Sequence, residues 1–342
     1  MTIVPIEKHR DDGSARIRLV PFDDIRLSKR RRDLVRGIIP RVGLAVVWGK
    51  PKCGKSFWLF DCLMHPALNR EYRGRRVQPG AVVYCAFEGQ SGLEARVEAF
   101  RLHRMYNHAG AVPFYLQPVT LNLVKDHRVL IKVIRDQLGD VPPIAVALDT
   151  LNRSMPGSES SDEDMSAYVK AADAIREAFE CAVVIVHHCG VEGTRPRGHT
   201  SLSGAVEAQI EVKRDASDRI VVEVELAKDG PQGAQIVSTL EAVVVGQDED
   251  GEDITSCVIC PCEDIPQPAK AGEPKLSANQ RVMFRLLHQA GAGGLTVEDW
   301  NEQPRALDIG KSRKATLWEL RCALKDKGLV REYAGRWTVA HE

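Results

Sequence analysis

The chain has 342 residues, 44% hydrophobic and 27% charged, with 47 basic residues against 47 acidic ones. This composition excludes a disordered tail protein and a histone-like or mucin-like chain, and the length suits one large domain and one small one. A net charge of zero gives no bulk attraction to nucleic acid or membrane, although charge can still segregate locally.

Residues 1–33 are polar and weakly periodic and read as a charged arm ending in Lys29, Arg30, Arg31 and Arg32, a solvated run rather than a DNA contact. The arm lacks the apolar core of a secretory signal, and nowhere do 18 apolar residues run together. A cytoplasmic protein without a membrane span is expected. Nine cysteines without framework spacing are expected to be reduced thiols.

Residues 34–263 alternate short apolar runs with helical stretches, the pattern of an α/β domain. Strands are predicted at 43–49, 80–88, 143–150, 181–188, 210–214, 219–228 and 238–246. The first four are almost wholly apolar, as parallel strands buried on both faces should be. Helices are predicted at 56–68, 93–106, 126–138 and 165–179. The later strands lie closer together and read as antiparallel hairpins at the sheet's edge, with an acidic turn, GQDEDGED, joining the last two. Residues 264–275, with three prolines, read as a linker. In 276–342, helices at 277–289, 296–302 and 310–327 precede the two-stranded GLVREYAGRWTVA, the outline of a winged helix-turn-helix domain.

The segment Gly49, Lys50, Pro51, Lys52, Cys53, Gly54, Lys55, Ser56 matches G-x-x-x-x-G-K-[ST] between a strand and a helix, the setting that makes it a phosphate-binding loop. Its amides curl around phosphate at a helix N-terminus, so residues 49–57, with Phe57 closing the stretch, are expected to bind ATP. Lys55 is expected to neutralise the β and γ oxygens and Ser56 to ligate Mg²⁺. The competing reading is a Gly/Lys-rich surface turn. Cys53, beside Lys52 and a helix end, is expected to have a depressed pKa and to report on nucleotide when alkylated.

Ligands gather at the carboxyl ends of such strands, and three polar ends lie there. Asp149 closes PIAVALDT, Glu88 closes VVYCAFE, and His187 and His188 close CAVVIVHH. Asp149 suits the Mg²⁺ shell and Glu88 the attacking water. Either carboxylate alone could equally cap the next helix, and a histidine pair is often structural.

The order of phosphate loop, VVYCAFE, ALDTLNRSMPGSESSDEDM, VVIVHH and RGHTSLSGAVEAQIEV resembles the RecA-like ATPases of the plasmid RepA helicase type, over residues 34–246. The resemblance implies a homo-hexameric ring that hydrolyses ATP between subunits and moves single-stranded DNA through its centre. It implies Lys55 and Ser56 for phosphate and Mg²⁺, Glu88 for water activation, Asp149 as the acidic Mg²⁺ partner and His188 as the polar sensor. Arg197 falls where the family places an arginine that reaches the neighbour's nucleotide. The segment LAKDGPQG resembles the basic turn of replicative helicases, with Lys228 at about the arginine position, so the trans cation is Arg197 or Lys228. The loops 152–165 and 190–199 would face the ring centre. The first carries Glu159, Asp162, Glu163 and Asp164, an awkward surface for DNA, which leaves Arg153, Arg195 and Arg197 as phosphate contacts.

The third helix of the C-terminal unit carries Lys311, Arg313, Lys314, Arg321, Lys325 and Lys327 against Glu319 and Asp326, and Arg331 and Arg336 follow on the hairpin. Duplex DNA or a docking protein is its expected partner. Phe284, Leu287, Val297, Trp300, Leu317, Leu320, Leu324 and Val330 are its expected core. Cys257, Cys260 and Cys262 lack a fourth ligand for zinc and read as small residues on a strand. The functional expectation is an ATP-driven DNA translocase or helicase. The alternative is a RecA-like DNA-binding ATPase that regulates replication or recombination without unwinding.

Overall fold

The computed structural model describes residues 19–27, 32–106, 108–190, 195–228, 230–262, 276–306, 309, 314–327, 329–333 and 335–340. Lys29, Arg30 and Arg31, the linker 264–275, and Lys311 and Arg313 lie outside them. Two compact units divide at residues 268 and 269.

In the larger unit a small hairpin, β1 (Asp33–Val35) with β2 (Ile39–Pro40), precedes β3 (Gly43–Gly49), α1 (Lys55–Ala67), β4 (Val82–Ala86), α2 (Gln90–Arg104), β5 (Phe114–Gln117) and α3 (Leu123–Leu138). There follow β6 (Ala145–Asp149), α4 (Leu151–Ser154), α5 (Asp162–Phe179), β7 (Ala182–His188), α6 (Ser201–Ala205), β8 (Ala208–Arg214), β9 (Ile220–Ala227), β10 (Gln235–Gln247) and β11 (Asp253–Cys262). Nine strands form one sheet in the order β11-β10-β9-β8-β3-β7-β6-β4-β5. The strands from β8 to β5 run parallel, and β9, β10 and β11 are antiparallel at the edge. The expected α/β architecture, a mostly parallel sheet with an antiparallel edge, is therefore present.

Period-two alternation divides the core between the two faces of this sheet. From β3, Ala45 and Val47 join a cluster with α1 residues Trp58, Leu59 and Leu63, while Leu44, Val46 and Trp48 join one with α5 residues Tyr168 and Ile175. Each large side chain so buried contributes about 1.5–3 kcal/mol, which fixes the central strands most firmly. Burial on both faces places the strand ends, rather than the faces, in solvent. Among the described residues no helix is long and apolar enough to cross a membrane.

The sequence reading missed three strands of this unit, and it placed Cys257, Cys260 and Cys262 on a strand, β11, without giving its bounds. Strands β1 and β2 have three and two residues, and β5 has four with a half-exposed pattern. The acidic turn lies between β10 and β11. The acidic loop is a second correction. Asp162, Glu163 and Asp164 form the first turn of α5, with Ser161 as N-cap accepting from the Asp164 amide. They complement the helix dipole there.

The smaller unit holds α7 (Ala278–Gln289), β12 (Leu295–Thr296), α8 (Val297–Ala306), α9 (Lys314–Asp326), β13 (Val330–Tyr333) and β14 (Arg336–Val339), with sheet order β12-β14-β13. Ser277 and Gln280 form a reciprocal capping box that starts α7. Its core contains Leu287, Trp300, Leu317, Leu324 and Val330, as expected, with Met283 and Trp337, while Phe284, Val297 and Leu320 pack against it half-buried. Arg321, counted above as surface charge, is buried and donates to Asn301.

Candidate functional site

The loop 49–54 leaves β3 and enters α1 under tight steric control. Gly49 has φ +154°, and a Cβ there would stand 2.0 Å from the Val212 carbonyl oxygen of β8. Gly54, the N-cap of α1, has φ +106°, and a Cβ there would meet Ile220 Cδ1 of β9 at 2.5 Å. Only glycine fits both places, so the loop is moulded against the hairpin β8–β9. The amino end of α1 consequently opens into a cleft of about 470 Å³.

Lys55, Ser56, Glu88, Asp149 and His188 all line that cleft, together with Pro51, Lys52, Gly54 and Phe57 of the loop. Lys55 is buried, and its ammonium donates to the carbonyls of Gly49 at 3.0 Å and Lys50 at 2.9 Å, with His188 Nδ1 at 3.5 Å. Burial lowers its pKa from the ordinary lysine value. Burial and the nearby Lys55 also lower that of His188, which keeps the imidazole neutral at pH 7.

Asp149 is buried at the end of β6, between β4 and β7. Desolvation raises its pKa, opposed by the hydroxyls of Tyr84 and Ser56 nearby and by the charges of Arg96 and Lys55. Its Oδ2 accepts the Tyr84 hydroxyl at 2.6 Å. Its Oδ1 is buried with no hydrogen-bond partner among the described residues, an open acceptor that suits a cation. Ser56 and Asp149 are thus the groups able to hold Mg²⁺. Glu88 is exposed just beyond β4, the strand beside that of Asp149, where Thr150 Oγ1 donates to it at 3.4 Å and Arg153 Nε lies 3.9 Å away.

Five expected residues, Gly49, Lys50, Cys53, Arg197 and Lys228, are not among those lining the cleft, and the last three have other partners. The Cys53 side chain is buried, its thiol donates to the Val212 carbonyl at 3.0 Å, and burial raises its pKa. The expected depression fails because desolvation outweighs Lys55 and the helix end. Arg197 does not line the cleft. Its Nε pairs with the buried Glu159 carboxylate at 3.0 Å, Asn152 donates to the same group at 2.7 Å, and the His187 Nε2 bonds the Arg197 carbonyl at 2.7 Å. Lys228 pairs with Glu207 at 3.1 Å beside the Gly43 end of β3. The length of β3 puts it about 20 Å from its own phosphate loop, at ~3.3 Å per residue.

Sequence reasoning missed Tyr84, Arg96 and Arg214, all of which line the cleft. Tyr84 is hidden in an apolar strand. Arg96 had a signal: it falls on the apolar stripe of α2 with Leu93, Val97 and Phe100. Its guanidinium stacks 3.9 Å from the centre of the Phe57 ring, and its Nε is buried without a hydrogen-bond partner among the described residues.

A family model described as an AAA domain, AAA_25, matches residues 13–194. No curated protein matches the chain. Among solved structures, the crystal structure of the RadB recombinase is similar at 16% identity, covering 60% of this chain and 90% of that one with a TM-score of 0.41. With more than half its length matched by that model and a phosphate loop at the head of a mostly parallel sheet, the chain belongs to the AAA_25 family and is a RecA-like P-loop ATPase.

Proposed function

We propose that the protein is a ring-forming, ATP-driven DNA translocase or helicase in which ATP is cleaved between protomers. The observation that carries this reading is the position of the two candidate trans cations. Arg197 is turned to Glu159 and Lys228 lies at the far end of the sheet, so neither reaches the cleft of its own chain. A neighbouring copy is the means of supplying one. The face around Lys228 suits such a contact, with a cleft of about 410 Å³ lined also by Arg32 and Arg41.

In this reading Lys55 and the α1 amides hold the β and γ phosphates, and Glu88 orients the attacking water through its free carboxylate edge. His188, neutral and donor-capable, meets the γ-phosphate end. Ser56 and Asp149 hold Mg²⁺, which when bound neutralises charge developing on the phosphates. A cation from the neighbour completes the clamp.

The smaller unit is read as a winged helix that contacts duplex DNA. On α9, Trp318 is exposed, and the Lys325 ammonium lies over the Trp337 ring of the hairpin at 5.6 Å. A second reading is an ATPase that assembles on DNA without unwinding it, and two basic residues of the hairpin are engaged within the unit. Arg336 is held by the Gly293 and Gly294 carbonyls and Arg331 by Thr338.

The test combines imaging with turnover. Hexameric rings with a non-hydrolysable nucleotide, ATPase stimulated by single-stranded DNA and displacement of an annealed strand support the first reading. Stimulation without displacement selects the second, and monomers with unstimulated turnover refute both.

A further inference from the structure

Tyr84 is the only neighbour through which β4 reaches the Asp149 carboxylate by hydrogen bond among the described residues, and the contact is short, 2.6 Å between fully enclosed groups. The phenol ring cannot swing away. It sits edge-on to Phe60 at 6.5 Å and tilted against Phe114 at 6.1 Å, and its strand is paired on both sides, with β5 and β6. The hydroxyl donates its proton to the Asp149 carboxylate oxygen, which as a carboxylate can only accept.

We propose that Tyr84 is the positioning residue that sets the Mg²⁺ affinity of the nucleotide site, by pinning Asp149 Oδ2 so that Oδ1 is presented to the metal. This rests on the ATP-site reading above. A carboxylate has two equivalent oxygens and a free torsion. Fixing one oxygen on a rigid donor selects the direction of the other, and here the other is the acceptor left without a partner. The remaining groups around Asp149 cannot do this. Ser56 shares the Mg²⁺ shell, Lys55 is tied to the loop carbonyls, and Arg96 is stacked on Phe57. Of the other cleft residues, His188 feels the Asp149 charge only through space, and Glu88 is engaged with Thr150 and Arg153. Tyr84 itself touches no substrate atom in this scheme.

A tyrosine serving only as core packing would leave metal binding unchanged when its hydroxyl is removed. The experiment uses the full chain and its Tyr84→Phe variant, with equilibrium binding of a fluorescent ADP analogue titrated with Mg²⁺ and measured separately in EDTA. In the variant, affinity in EDTA is expected to stay within twofold of wild type, while the Mg²⁺ concentration for half-maximal tightening rises about tenfold or more, the usual effect of deleting a hydrogen bond to a charged group. Replacing Tyr84 by 4-aminophenylalanine, which keeps ring and donor, is expected to restore the wild-type value. With Asp149→Asn already in place, Tyr84→Phe is expected to add nothing further. Tyr84→Met serves if the phenylalanine variant does not fold. Wild-type Mg²⁺ dependence in a folded variant without the hydroxyl overturns the proposal. Absence of any Mg²⁺ effect in the wild-type chain overturns instead the ATP-site reading on which it rests.

Discussion

Arg153 Nε stands 3.9 Å from Glu88 Oε2, linking the short helix after the Asp149 strand to the carboxylate expected to orient water. Both side chains are about half exposed, so the pair contributes no more than about 1 kcal/mol. Arg153 lies in a segment expected to meet DNA, and a phosphate that recruits it releases Glu88. Arg153→Ala is therefore expected to raise DNA-free ATP turnover, by about fivefold at most from an ion pair of that strength. Steady-state rates with and without single-stranded DNA check this, and an unchanged or lower basal rate contradicts it.

The Arg197–Glu159 pair allows a structural strut to be separated from a trans cation. Arg197→Ala leaves a buried carboxylate with fewer partners and should lower stability by roughly 1–3 kcal/mol. Combining it with Glu159→Gln should recover most of that loss. If Arg197 completes the neighbour's site, both variants bind nucleotide yet lose about three decades or more of turnover. Thermal melts and single-turnover hydrolysis separate the two effects. Normal hydrolysis in the double variant transfers the role to Lys228, for which Lys228→Ala is then the decisive chain.

Lys55→Ala should abolish hydrolysis. Because Lys55 also ties together the carbonyls of Gly49 and Lys50, the variant is expected to bind nucleotide more weakly as well as failing to cleave it. Retained turnover above about 1% of wild type would remove the loop from the reaction.

Cys53 should resist modification. Its thiol is buried with a raised pKa, so native labelling at pH 7 by a maleimide is expected to be slow and insensitive to added nucleotide. Peptide mapping by mass spectrometry reads the order in which the nine thiols react. Rapid labelling of Cys53 that ATP prevents would show that the loop opens far more than its packing implies.

Asp61, buried on α1 with Arg73 at 3.9 Å, has its pKa raised from 3.8 to about 6, chiefly by desolvation. The folded state therefore binds its proton more tightly than the unfolded state. The associated stability is fully present below about pH 4 and is lost as pH rises through 6. Asp61→Asn should stabilise the fold at pH 8, by about 3 kcal/mol at most from the size of that shift, and by little at pH 4. Urea melts at the two values test the sign. A variant weaker at pH 8 would mean that the Arg73 contact outweighs desolvation.

The central strands were legible in the sequence because burial on both faces forces contiguous apolar runs, as in 43–49 and 182–188. Residues ending such strands were legible for the same reason: Asp149 and His188 had to emerge at the sheet's edge. The opposite holds for Tyr84 and Arg96. Each looks like an ordinary member of its element, and its role arises from partners far along the chain, Asp149 for one and Phe57 for the other. Local charge also misled the reading. Arg321 is drawn inward to Asn301, and Glu159 is buried between Asn152 and Arg197, neither of which a count of signs can reveal.

The fit of Gly49 against Val212 and of Gly54 against Ile220 bears on how far the molecule can be shortened. The family match ends at residue 194, yet the mould of the phosphate loop lies in β8 and β9, which end at Ala227. A truncation designed on the matched region alone would keep the consensus residues and discard the template that gives them shape. The minimal unit able to grip nucleotide must extend through the edge hairpin.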